Sequence, residues 1–180
     1  QSYLAGQGRN GVLVLPSSIT RIDNGVFTQR FQNFKAIYAE GVTEVGSYAF
    51  NETGSLNFAH LPKLKKLGEA VFTDNASLTA VNFPLLEEIG DVCFTGGANF
   101  SGNGLKITYV SIPAAKKIGS GAFHGNYKHS GVTFILGAQP EVNTKAYEDY
   151  PQEGFVAFGQ LKSPVLYVTP EHLKTYTLTD

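Results

Sequence analysis

The 180-residue chain contains no methionine, no tryptophan and a single cysteine. One cysteine excludes an internal disulfide, so apolar burial must hold the fold together without covalent staples. No apolar run approaches 18 residues, so no stretch of the sequence reads as a membrane-spanning helix. Charged residues make up only 16% of the chain and the net charge is −1. Such a balance offers no basic face for nucleic acid or for an anionic membrane, and no nucleic-acid partner is expected. The four histidines, His60, His124, His129 and His172, do not lie at metal-ligand spacing with Cys93 or with paired acids. No cofactor is expected. A chain that begins at Gln1 without methionine reads as a processed product or an excised segment.

What the sequence does have is repetition. Five hexapeptides share one frame: Ile22–Phe27, Val45–Phe50, Leu67–Phe72, Ile89–Phe94 and Ile118–Phe123. Their phenylalanines lie 23, 22, 22 and 29 residues apart. Repeats of this length cannot bury an apolar face alone and must stack on their neighbours, which is the signature of a solenoid. Before two of the hexapeptides, the segments Leu56–Pro62 and Leu78–Pro84 align without a gap and carry L-x-x-L-x-L spacing. Alternation along a strand sends Leu78, Val81 and Phe83 inward and Thr79, Ala80 and Asn82 outward, and the proline ends the strand.

A second, shorter extended piece follows each proline. Its inward positions are Ile19, Val42, Leu64, Leu86 and Ala115, then Ile22, Val45, Leu67, Ile89 and Ile118. The glycine that comes next (Gly46, Gly68, Gly90, Gly119) is expected to supply a positive φ, with Asp23 tolerating it in the first repeat. A short helical turn then carries the phenylalanine into the core. Asn51 and Asn75 are expected to bond turn backbone. Between the apolar positions lie Thr20–Arg21, Thr43–Glu44, Lys65–Lys66, Glu87–Glu88 and Lys116–Lys117, whose sign alternates from coil to coil. Stacked about 4.8 Å apart, each charge should face opposite charges above and below.

The whole chain reads as one domain, with repeats over about residues 8–139. A Gly-rich insertion, Thr95–Lys106, must bulge from one edge. From Pro140 to Ser163 the frame is lost, and residues 140–180 read as a C-terminal cap. Val165–Val168 is its strand, with Thr169 an N-cap, Pro170 at the first helical position and a helix to about Tyr176.

Three features have bland explanations. Gly6–Gly11 matches G-x-G-x-x-G, but too little chain precedes it and a strand rather than a helix follows. Cys93 occupies the position of Val26, Ala49, Val71 and Ala122 and reads as a small buried hydrophobe. Asn51, Asn75 and Asn99 head N-glycosylation sequons, two of them at turn positions of the repeat.

The frame I-G-x-x-A-F, with L-x-x-V-x-[LF]-P about twelve residues after it, resembles BspA-like leucine-rich repeats. The ending Ile135–Pro140, Val165–Pro170 and Tyr176 resembles the closing unit of such arrays, with Thr169 inserted where the family commonly runs Val-Pro. The resemblance covers residues 11–178. It implies an α/β, β-rich leucine-rich repeat solenoid with parallel strands, and a secreted or surface-anchored bacterial protein of adhesin type. It implies as partner a host matrix or cell-surface protein, or a glycan. It carries no residue-level binding motif.

The outward residues of the main strands therefore have to indicate the site themselves. Low charge with exposed aromatics is the composition of a binding surface. Tyr38, Phe58, His60, Asn82 and Tyr109 are the candidates, with Tyr38, Phe58 and Tyr109 expected to share one face. The rival readings are a structural spacer that presents another domain and a carbohydrate-active enzyme. The latter needs two carboxylates converging in a cleft, and the acids here are dispersed, so no catalytic activity is expected.

Overall fold

A computed structural model describes residues 11–28, 34–96, 106–125, 131–143, 157–158 and 164–176. The Gly6–Asn10 part of the glycine motif, most of the Thr95–Lys106 insertion, the Asn99 sequon and His129 lie outside the described residues.

The long strands are β1 (Val12–Val14), β3 (Ala36–Tyr38), β5 (Phe58–His60), β7 (Ala80–Asn82), β9 (Tyr109–Ile112), β11 (Thr133–Leu136) and β13 (Val165–Val168). Two-residue strands alternate with them: β2 (Arg21–Ile22), β4 (Glu44–Val45), β6 (Lys66–Leu67), β8 (Glu88–Ile89), β10 (Lys117–Ile118) and β12 (Glu141–Val142). All pairs are parallel and all connect neighbouring coils. The short strands form one six-stranded sheet, whereas the long strands form two, β1-β3-β5 and β7-β9-β11-β13. The result is a β-rich α/β repeat fold.

The alternation read from the sequence is observed. Leu78, Val81 and Phe83 are buried, and Thr79, Ala80 and Asn82 are exposed. The frame phenylalanines form a stack through the core. Phe27, Phe50, Phe72, Phe94 and Phe123 follow one another at centroid distances of 5.1, 5.6, 5.4 and 5.1 Å, with rings within 13° of parallel. Phe158 continues the stack at 5.6 Å from Phe123. Each ring thus gains aromatic contact on both sides beyond the burial of its own area.

Several expectations are corrected. Ile19 is exposed (39%), although its equivalents Val42, Leu64, Leu86 and Ala115 are buried. It belongs to the outermost described coil and so lacks a described neighbour on one side. The hexapeptide is a turn, not a helical one: its fourth residue is left-handed in all five repeats, at Gly25, Tyr48, Ala70, Val92 and Gly121. The second-position glycines are not left-handed, and their cause is crowding. A Cβ on Gly46 would lie 2.3 Å from Asn24 Oδ1, on Gly68 2.6 Å from the Ser47 nitrogen, and on Gly90 2.3 Å from the Gly68 oxygen. Each contact is with the coil before, and Asp23 stands where no preceding coil is described.

Two contacts of the repeat recur past Pro140, where the sequence frame is lost. β12 pairs with β10, and the Phe123 N–H donates to the Ala157 oxygen (2.8 Å) as the Phe94 N–H does to Ala122 (2.7 Å). The terminal helix α1 spans only Pro170–Leu173. Thr169 makes no side-chain cap bond there, and its hydroxyl lies 2.8 Å from His172 Nδ1 instead. No helix among the described residues is long and apolar enough to cross a membrane.

Candidate interaction surface

Parallel pairing in fixed register places the outward side chains of the long strands in two rows on each sheet. In the β1-β3-β5 sheet one row holds Val12, Ala36 and Phe58 and the other Val14, Tyr38 and His60; in the sheet that begins at β7 one holds Ala80, Tyr109 and Thr133 and the other Asn82, Ser111 and Ile135. Tyr38 and His60 are register partners, and Phe58 lies diagonally from Tyr38. Their rings form a cluster: Tyr38–Phe58 centroids 5.5 Å apart, Tyr38–His60 5.9 Å, and Phe58–His60 6.4 Å with planes 4° apart. Tyr38 and Phe58 remain 40% and 46% exposed. Val14 extends the apolar patch along the second row, also exposed. At its rim, His60 Nε2 lies 3.0 Å from Glu40 Oε1.

Tyr109 is outward and exposed as expected, but it stands apart. It pairs with Ala80 and Thr133, in the second of the two long-strand sheets, and among the described rings it does not join the cluster. Asn82 faces outward beside Ser111. The five candidate residues thus divide into a ring cluster, Tyr38, Phe58 and His60, and a separate polar–aromatic pair, Asn82 and Tyr109. The break falls where the β5–β7 ladder is missing, which the gapless alignment of Leu56–Pro62 with Leu78–Pro84 gave no sign of.

The short-strand sheet carries the other feature that can contact a partner. One row reads Arg21, Glu44, Lys66, Glu88, Lys117, Glu141 in register. Arg21 Nη1 meets Glu44 at 2.9 Å, Lys66 Nζ meets Glu88 at 2.9 Å, and Lys116 Nζ in the adjacent row meets Glu87 at 2.6 Å. The hydrogen bond from Lys66 holds the Glu88 carboxyl below the usual carboxylate range, and Lys116 does the same to Glu87. Glu141, missed in the sequence, continues the alternation into a sixth coil. It could have been found as the next acid after Lys117 to follow a proline directly.

A groove of about 610 Å³ runs along this row, lined in part by Lys66, Glu88, Lys117 and Glu141. Glu88 and Glu141 are two coil spacings apart, about 10 Å. They lie side by side on a ladder with Lys117 between them, and the paired, depressed Glu88 is the opposite of the raised-pKa acid that glycoside hydrolysis needs.

Other side chains that the sequence singled out are structural. Cys93 is buried, and burial pushes its thiol up to about 12. Asn75 is fully buried: its Nδ2 donates to the Phe50 oxygen at 2.7 Å, and Thr53 Oγ1 donates to its Oδ1. The Asn75 sequon is therefore closed to a sugar in the folded chain.

The sequence matches the family described as BspA type Leucine rich repeat region, in 6 copies over residues 10–130. Among solved structures, the T. pallidum leucine-rich repeat protein TpLRR matches with a TM-score of 0.63 at 21% identity. That match covers 89% of this chain and 74% of TpLRR. A leucine-rich repeat protein from Bacteroides ovatus matches with a TM-score of 0.54 at 22% identity, covering 88% of this chain but only 42% of its own. At these identities the likeness concerns the fold alone. No curated protein sequence matches the chain.

Proposed function

The chain belongs to the BspA-type leucine-rich repeat family, and from that premise we propose that it is a non-catalytic interaction module. Its partner is a host matrix or cell-surface protein, or a glycan, met in an adhesin-like role at the bacterial surface. The contact is made through the outer face of the long-strand sheet. The observation that carries this reading is the Tyr38–Phe58–His60 cluster. Its three rings sit within 6.4 Å of one another on two adjacent strands. Core aromatics bury their rings against the stack; these do not, although removing such area from water is favourable. Tyr and Phe also lose little side-chain entropy on contact, which suits them to anchor a partner.

The test is binding of the purified chain to a panel of immobilised matrix proteins and mucin glycans. Replacing Tyr38 and Phe58 by Ser should leave the far-UV spectrum and the melting midpoint close to those of the parent, since neither ring belongs to the core. It should weaken any binding found by at least tenfold, the loss expected when an exposed aromatic anchor is removed. Tyr109→Ser, on the separate sheet, should weaken it less. A folded double variant that binds as well as the parent sinks the proposal and turns attention to the charged groove over β6, β8, β10 and β12.

A further inference from the structure

The core stack is open at its C-terminal end. The inward column of the long strands runs Leu13, Ile37, Ala59, then Val81, Val110, Phe134 and Leu166. Leu13 is fully buried and Phe134 is 3% exposed, yet Leu166, in the same column, is 49% exposed. Its neighbours on the outward side, Val165 and Tyr167, are exposed at 43% and 59%. Among the described residues β13 pairs with β11 alone, so one of its edges carries no ladder. Natural proteins blunt such edges with charge, and the four residues Val-Leu-Tyr-Val carry none.

The direction of the free edge can be read from the ladder. The Val165 N–H points into the sheet, donating to the Val132 oxygen at 2.9 Å. By alternation, the N–H and C=O of Leu166 point outward from the edge. Leu166 can therefore exchange both hydrogen bonds with an identical residue across a twofold axis. We infer that β13 is a dimer interface: two copies pair their β13 strands antiparallel about an axis at Leu166. In that register Leu166 faces the partner's Leu166 on the inward side, and Val165 faces the partner's Tyr167 on the outward side. All three exposed side chains are covered at once, and the two cores become continuous. The outward pair joins a β-branched residue to an aromatic, a favourable cross-strand combination. The interface is isologous, so it closes at two copies rather than growing into a fibre.

Disulfide trapping tests the register. Residues exchanging both bonds across antiparallel strands have Cα atoms about 5.5 Å apart, the separation that a disulfide prefers. Leu166→Cys in the full chain should form a covalent dimer under mild oxidation. Val165→Cys should not, because the two copies of residue 165 lie on a diagonal of more than about 7 Å. Cys93 is buried and its raised thiol keeps it silent. The parent should sediment as a dimer at high micromolar concentration. Tyr167→Lys should weaken that dimer at least tenfold while circular dichroism stays unchanged. A monomeric parent overturns the inference. So does a dimer that Leu166→Cys fails to trap, or one that Tyr167→Cys traps in its place.

Discussion

The left-handed fourth residue of the hexapeptide is glycine in only two of five repeats; the others are Tyr48, Ala70 and Val92. An L side chain in that region costs on the order of 1–2 kcal/mol. Ladders between coils impose it. The Gly25 N–H donates to Ser47, Tyr48 to Glu69, Ala70 to Asp91 and Val92 to Ser120, all at 2.8–2.9 Å. Two positions earlier the requirement is different, because there the preceding backbone leaves no room for a Cβ. Two substitutions in one hexapeptide should therefore act in opposite directions. Gly68→Ala meets the Ser47 backbone at 2.6 Å and should destabilise by about 1–3 kcal/mol, as overpacking does. Ala70→Gly removes strain and should stabilise by roughly 0.5–1 kcal/mol, against the usual penalty for that change. Urea denaturation measures both, and a destabilising Ala70→Gly would show that the strain is not there to relieve. The sequence made the recurrent glycine visible but not its reason. Residue identities of Gly, Tyr, Ala, Val and Gly conceal the left-handed site altogether.

Among the elements, the short-strand sheet was largely legible. Its inward column and its alternating charges follow from period and position, and the ion pairs of Arg21, Lys66 and Lys116 form where the alternation placed them. Its last strand was not. Phenylalanine follows the inward residue by five positions from Ile22 to Phe27, but by sixteen from Val142 to Phe158. Only the tertiary contact with Phe123 identifies the latter as the same plug. Lys66→Glu would set three carboxylates in a row at positions 44, 66 and 88. It should lower the melting midpoint by roughly 2–4 °C, and the difference should shrink in high salt. A difference untouched by salt would remove the ladder from the account. The pairs also predict a pH window. Glu87 and Glu88 are depressed in the fold. Their contribution is full above the ordinary glutamate value of about 4.3 and is lost as pH falls through the folded values. Lys66 and Arg21 are raised, so their contribution is lost only as pH climbs through their folded values, far into the alkaline range.

For the whole molecule, cohesion is unevenly distributed along the stack. A solenoid's stability is approximately a sum of coil terms and nearest-neighbour interfaces. The interface between the third coil (β5, β6) and the fourth (β7, β8) has lost one of its ladders, since β5 and β7 exchange no strand pairing. What spans the gap is the β6–β8 pair, the Lys66–Glu88 contact, the turn hydrogen bonds from the Ala70, Phe72 and Asp74 N–H groups to the Asp91, Cys93 and Thr95 oxygens, and the Phe72 ring, 5.4 Å from Phe94 and 6.2 Å from Phe83. The candidate ring cluster, Tyr38, Phe58 and His60, stands on the near side of this seam and Tyr109 on the far side. A partner gripping both would bridge it. Truncating the buried Phe72 to Ala should cost about 3–5 kcal/mol, as should Phe50→Ala, since both rings are fully buried. The two variants should differ in cooperativity. Phe50 lies between coils whose two ladders are both complete, so Phe50→Ala should still unfold in one transition. Phe72→Ala weakens the one interface already short of a ladder and should divide unfolding into two steps, with the amides of coils one to three exchanging separately from those of coils four to six. Native-state hydrogen exchange across a denaturant series measures this. A single coincident transition in Phe72→Ala would mean that the short-strand sheet and the turn hydrogen bonds couple the two halves without the missing ladder.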